Sequence, residues 1–190
     1  MRGKTVLLFL GLAILSSMWL LYRCVAPYPE QPRRHDCPPE SLLVDISLFP
    51  ADMISDEPMH PLPDGGGTSI GVDMGNGSID ISHDVYPYRI PRGAEKRFKE
   101  EVGGIRRGHP EHVLIDITDL GLQAEQAALF CGPKKTNPRC IYLARYDNFY
   151  VEFFLRAPEI DNPLEVIYPA IKDIDQKMRQ CLAEHPGPGE

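Results

Sequence analysis

The chain predicts an α+β domain: an antiparallel sheet packed with two main helices and preceded by one N-terminal transmembrane helix. Three observations carry that expectation. Near the N-terminus lies a long run without charge, further on come strand-period segments joined by tight-turn residues, and two segments place apolar residues at helical spacing.

Thr5 to Tyr22 is 18 residues without a charge. At about 1.5 Å per residue it makes about 27 Å of helix, close to the thickness of a bilayer core. A secretory signal has an apolar region of about 7–15 residues and then a small-x-small site, whereas this run ends in Met18, Trp19, Leu20, Leu21, Tyr22 and Arg23. The small-x-small candidate, Cys24 to Ala26, is followed by Pro27, a poor residue next to a scissile bond because it lacks an N–H and has a fixed φ. Arg23 stands where lipoprotein processing needs a small residue. Residues 1–23 are therefore read as an uncleaved signal-anchor, in preference to a cleaved signal or a lipoprotein signal, with Trp19 and Tyr22 at the membrane interface.

Residues 24–39 hold Pro27, Pro29, Pro32, Pro38 and Pro39 and read as a stiff stalk, up to about 45 Å long if fully extended. Residues 40–184 are of single-domain size. The tail, residues 185–190, is expected to be disordered. The whole chain has a formal charge of −7, and its first 23 residues contain Arg2, Lys4 and Arg23 with no acid, which leaves −10 on the remainder. A balance that acidic argues against nucleic acid and against an anionic lipid surface as partner.

Within the domain, Leu42, Leu43, Ile46 and Phe49 follow helical spacing and predict a short helix stopped before Pro50. From Ser55 to Gly67, prolines and glycines mark a loop. Thr68 to Met74 and Ser78 to Tyr86 read as a hairpin around Gly75, Asn76 and Gly77, and on so tight a turn the Asn76-Gly77-Ser78 sequon is read as turn chemistry. Pro91 opens a helix whose stripe is Ala94, Phe98, Val102 and Ile105, with Gly103 and Gly104 expected to close it. Val113 to Ile117 is a short strand. The last helix starts with Asn162 as cap, Pro163 and Glu165, and turns Ile167, Ile171, Ile174, Met178, Cys181 and Leu182 inward. Pro169 is expected to kink it or delay its start.

Ala124 to Arg156 supports a register argument. With Asp147 and Asn148 as a two-residue turn, Tyr146 faces Phe149, Ala144 faces Val151 and Tyr142 faces Phe153. With Cys131 bonded to Cys140, Leu129 faces Tyr142 and Ala127 faces Ala144. The two constraints agree, and they place Leu129, Ala127, Tyr142, Ala144, Val151, Phe153 and Leu155 on one core face. The opposite face carries Phe130, Ile141, Leu143, Tyr150 and Phe154 with Gln126, Arg145, Glu152 and Arg156. Ile141, Leu143, Arg145, Tyr150, Glu152 and Phe154 are thus the candidate surface for a ligand or partner. The alternative is a second packed layer under the 55–67 loop or a helix.

Cysteine usage decides orientation, since arginines and lysines flank the anchor almost evenly. Cys131 and Cys140 bracket a Gly/Pro/Asn-rich turn, and Cys37 with Cys181 is the natural second pair, although four cysteines allow three connectivities. Disulfides put the domain on the extracytoplasmic side. Buried free thiols in a cytosolic domain are the alternative. Cys24 is left over, free at the membrane face or paired with a second copy of the chain.

Catalytic patterns occur without their context. Gly67, Ser69 and Gly71 match G-x-S-x-G, but a loop precedes and a strand follows where a nucleophile elbow needs strand then helix. Ser82, His83 and Asp84 alternate faces on a strand and cannot converge. His109, Glu111 and His112 are potential Zn²⁺ ligands, yet no further ligand at a recognisable spacing accompanies them. They are read as solvated loop residues, with no metal and no cofactor expected.

The order of anchor, proline stalk, Cys37 ahead of Leu42 and Leu43, Phe49-Pro50-Ala51 and the Ala94/Phe98 helix continues through Asp119-Leu120-Gly121, Ala144-Arg145-Tyr146-Asp147-Asn148 and Ile174-Asp175. Over about residues 37 to 184 it resembles the extracytoplasmic sensor-type domains and small lipoproteins of bacterial envelopes, including those attached to membrane serine/threonine kinases. The chain departs from them in lacking a kinase domain and a lipobox. The resemblance implies a disulfide-braced α+β domain with a ligand cleft and assigns no catalytic residue. The expectation is a non-catalytic binding or sensor-like module tethered through residues 5–22, with a structural subunit of an envelope complex as the alternative and a hydrolase third.

Overall fold

The structure is a computed structural model that describes residues 35, 37–49, 70–75, 80–135, 138–158 and 160–187. The anchor, most of the stalk, the 55–67 loop and the 76–78 turn lie outside the described residues. Among the described residues no helix is long and apolar enough to cross a membrane.

The observed elements are β1 (Ile70–Gly75), β2 (Asp80–Pro87), α1 (Pro91–Gly108), β3 (Val113–Ile115), β4 (Gln126–Cys131), β5 (Arg139–Tyr146), β6 (Phe149–Arg156) and α2 (Leu164–Glu184). All neighbouring strands are antiparallel, and the sheet order is β1-β2-β6-β5-β4-β3. The fold is α+β, an antiparallel sheet with two helices.

The register follows from the two turns. Tyr146 pairs with Phe149, Ala144 with Val151, Tyr142 with both Phe153 and Leu129, and Ala127 with Ala144. At the tip, Asp147 has φ 49°, a left-handed conformation that Asp tolerates better than most residues. Tertiary bonds hold it: His35 Nε2 lies 2.8 Å from Asp147 Oδ2, and Asn148 Nδ2 donates to Tyr88 O at 2.8 Å.

One face of the sheet buries Ile81, Val85, Leu129, Tyr142, Val151, Phe153 and Leu155 against Ile167, Ile171, Ile174 and Met178 of α2. Leu42, Val44 and Phe49 fill the same layer. Ala127, expected here, is exposed, because β3 pairs only with Leu129 to Cys131 and leaves the start of β4 unflanked. In the middle of the layer the Tyr142 and Tyr146 hydroxyls lie 3.2 Å apart, and Tyr146 donates to Asp175 Oδ1 at 3.0 Å. Asp175 also accepts from Gln123 N at 2.8 Å, so this buried carboxylate is satisfied by hydrogen bonds.

Two local expectations are corrected and a third is narrowed. The predicted helix over 42–49 is two short 3-10 turns, Pro39–Leu42 and Ile46–Leu48. Between them Val44 N donates to His83 Nδ1 and Asp45 N to Asp173 Oδ2, so distant side chains take donors that a helix would have used. Helix α1 does not stop at Gly103 and Gly104 but runs on to Gly108. Burial of Ile105 offsets the roughly 1 kcal/mol that each interior glycine costs. Helix α2 passes through Pro169 without a delayed start, and Asn162 braces its first turn by accepting from Leu164 N and donating to Glu165 Oε1.

The tail begins docked: the His185 carbonyl accepts from His35 Nδ1 at 2.6 Å, and Gly187 is buried. Residues 188–190 lie outside the described residues.

Candidate functional site

The face proposed for a ligand is covered by α1. The chain leaves β2 on one side of the sheet and re-enters at β3 on the far edge, and α1 makes that crossing over this face. Its stripe of Ala94, Phe98, Val102 and Ile105 packs on Ala128, Phe130, Ile141, Leu143 and Tyr150. Leu143 and Tyr150 are 0% exposed and Ile141 is 8% exposed, so these three are core and not an open surface. Arg145, Glu152 and Phe154 keep partial exposure at the margin of the helix. Leu143→Ala is accordingly expected to cost about 3 kcal/mol in urea unfolding, within the range for buried leucines. A cost below about 0.5 kcal/mol, the scale of surface substitutions, would show the face to be open.

A polar group forms at that margin. Asp84 of β2 and Glu152 of β6 are directly paired across the sheet, as are Tyr86 and Tyr150. Tyr150 donates to Glu152 Oε2 at 3.1 Å, and Ser82 Oγ donates to Asp84 Oδ2 at 3.1 Å. The Arg97 guanidinium lies 5.8 Å from the Tyr86 and Tyr150 ring centroids and pairs with Glu101 at 2.9 Å. Burial raises the Glu152 carboxyl above its ordinary range; the Tyr150 hydrogen bond works against the rise, and the Glu101 and Asp84 carboxylates add to it. A carboxyl whose pKa is raised by burial and by neighbouring carboxylates is a feature that clusters at functional sites. Arg97 and Glu101 were missed in the sequence, where their i,i+4 spacing reads only as surface pairing on a helix.

The four cysteines among the described residues lie in two bonded pairs, and Cys24 lies outside the described residues. Cys37 is bonded to Cys181 with Cα atoms 5.9 Å apart, and Cys131 to Cys140 with Cα atoms 4.1 Å apart in directly opposed positions of β4 and β5. The first bond ties the chain entering the domain to the end of α2, and the second closes the β4–β5 hairpin.

Ser82, His83 and Asp84 do not converge. Ser82 and Asp84 bond each other, while His83 lies on the opposite face against Phe153 and accepts from Val44 N at 2.9 Å. The Gly67 and Ser69 positions of the G-x-S-x-G pattern lie outside the described residues.

His109, Glu111 and His112 are brought together more closely than the loop reading allows. His109 caps α1 by donating its N–H to Ile105 O at 2.8 Å, and His112 N donates to His109 O at 3.0 Å, closing a turn around Pro110 and Glu111. One ligand-type atom from each of the three lies within 4.8 Å of the others. The His112 side chain has no exposed surface, which corrects the expectation of a solvated histidine. Burial, and then the neighbouring His109, lower the His112 imidazole below its ordinary pKa and favour the neutral form. The spacing was visible in the sequence, whereas the enclosure depends on how the turn folds back.

Comparison with protein-family models, with curated proteins and with solved structures finds no match to this chain.

Proposed function

We propose that this chain is a membrane-tethered extracytoplasmic module that binds without catalysing, hung from an N-terminal anchor at residues 5–22 by the proline stalk. The observation that carries this reading is the pair of disulfides, Cys37–Cys181 and Cys131–Cys140, since such bonds persist in oxidising compartments and are rare in reducing ones. The apolar run and the stalk composition supply the tether. The margin of Arg97, Glu101, Arg145, Glu152 and Phe154 is the place on this face where a ligand or partner would meet polar side chains, and the resemblance to envelope sensor-type domains agrees with that role. A structural subunit of an envelope complex is the second reading. It is favoured by edge strand β3, whose Val113 and Leu114 are 62% and 51% exposed, an apolar pair suited to a protein contact.

Protease treatment of intact spheroplasts tests the topology. The expected result is loss of the domain to external protease, an intact N-terminal peptide in the membrane fraction and no alkylation of the four domain cysteines until a reductant is added. A domain protected in spheroplasts, with those four thiols alkylatable in the native protein, would reverse the orientation and remove the reading.

A further inference from the structure

We propose that His109, Glu111 and His112 form a binding site for one first-row transition-metal dication, with Zn²⁺ as the ion the donors suit. Two imidazole nitrogens and one carboxylate oxygen are a recognised three-ligand zinc set, and they leave a fourth position to water or to a group from a partner. Soft thiolate ligands are absent from the set and it has only one carboxylate, so neither Cu⁺ nor Ca²⁺ and Mg²⁺ fit as well.

The spacing of the atoms supports the assignment. Zn–N and Zn–O bonds of about 2.0–2.1 Å in tetrahedral geometry put neighbouring ligand atoms about 3.4 Å apart. His109 Nδ1 and His112 Nδ1 lie 3.4 and 3.5 Å from Glu111 Oε1. Two edges of the ligand triangle therefore already have the length a bound ion requires, and the whole donor set lies within 4.8 Å.

Independent of the spacing, His112 has no exposed side-chain surface, and among the described residues neither of its ring nitrogens makes a hydrogen bond, the 3.5 Å approach of Nδ1 to Glu111 Oε1 being too long and poorly aimed for one. Buried polar atoms are ordinarily satisfied, and a metal ion would supply the missing partner to one nitrogen. The turn is also well placed for a cation, because it follows directly on the C-terminus of α1, the negative end of the helix dipole. Opposing charges are close by: Arg106 and Arg107 lie in the last turn of α1, and Arg139 acts on His112 from β5 while its guanidinium lies 5.5 Å from the Phe154 ring centroid. These make the site a moderate binder, not a permanently loaded one.

The test uses the full chain in detergent with both disulfides intact and Cys24 blocked by alkylation, so that no thiolate competes. Equilibrium dialysis against Zn²⁺ should give one ion per chain, and Co²⁺ in its place should give the visible absorption bands of a low-symmetry N/O site. Glu111→Gln, at a side chain 40% exposed, removes a donor without disturbing packing. His112→Ala removes the enclosed one. Each should weaken Zn²⁺ binding about 100-fold or more, since loss of an outer-sphere partner alone costs about 10–100-fold. His185→Ala, which keeps the carbonyl that His35 uses, should bind as the parent chain does. No stoichiometric Zn²⁺ in the parent chain, or equal binding by the parent and Glu111→Gln, would overturn the proposal, and either result leaves the topology test untouched.

Discussion

Replacing Cys37 and Cys181 together by alanine is expected to destabilise the domain by about 5 kcal/mol, roughly twice the effect of replacing Cys131 and Cys140. The difference comes from the lengths of chain they close. The first pair is separated by 144 residues and the second by 9. In the chain-entropy account the unfolded state gains about 5 kcal/mol of freedom when the long loop opens and about 2.5 kcal/mol when the short one does. Domains have only about 5–15 kcal/mol in hand, so the first double variant should lose about a third or more of its stability. Its local consequence is also the larger. Cys37 holds the segment from which Leu42, Val44 and Phe49 enter the α2-side layer, beside Lys177, whose Nζ donates to Leu43 O at 2.7 Å. Urea titration of both double variants decides the matter: equal midpoints, or a loss below about 1 kcal/mol for the 37–181 pair, would show that this bond is not what closes the domain.

How far the fold could be read from the residues depends on whether the controlling contacts are local. The β4–β5–β6 register was legible because two turns, Asp147-Asn148 and the segment between Cys131 and Cys140, specify it independently and give the same answer. The inward stripe of α2 was legible for the same reason, as periodicity along one element. Which element covers the second face of the sheet was not, since nothing local chooses between an open surface and a packed layer under the 55–67 loop or a helix. The stripe of α1 and the apolar strip of Ile141, Leu143 and Tyr150 were both visible, but only the crossing from β2 to the far edge puts one on the other. Arg145 and Glu152 at the margin of the helix made that strip look like a rimmed binding surface.

The same distinction explains the N-terminal segment. Leu42, Leu43, Ile46 and Phe49 carry helical spacing, yet Val44 N and Asp45 N bond side chains 39 and 128 residues away in sequence. No local pattern announces such partners. His109, Glu111 and His112 are the intermediate case, with spacing plain in the chain and enclosure of His112 set by the fold.

The stability of the domain is expected to fall steeply as pH drops below 6.5, with His83 as a main cause. This imidazole is 0% exposed, and its Nδ1 accepts from Val44 N at 2.9 Å, a bond that requires that nitrogen to be unprotonated. Burial, with Lys177 adding, lowers its pKa from the ordinary 6.5 to about 3. Between those values the unfolded chain binds a proton that the folded chain refuses. Stability must then rise with pH across the window, and be lost as pH falls, by about 1.4 kcal/mol per unit. The loss amounts to about 2.5 to 3 kcal/mol by pH 4.5 and roughly 4 kcal/mol by pH 3, where the folded imidazole is itself half protonated. Above 6.5 both states are neutral at this position and it contributes no slope. His112, also held below its ordinary pKa, adds in the same direction. His83→Asn isolates the effect, because an asparagine oxygen can accept from Val44 N but cannot titrate. Its stability at pH 7.5 will be lower than the parent's through lost packing against Phe153. Its slope between pH 6.5 and 4.5 should nevertheless be shallower by about 1 kcal/mol per unit or more, measured by urea unfolding at each pH. Parallel pH profiles for the two chains would show that His83 accepts a proton in the folded state, and that its bond to the Val44 N–H is not what joins the N-terminal segment to the sheet.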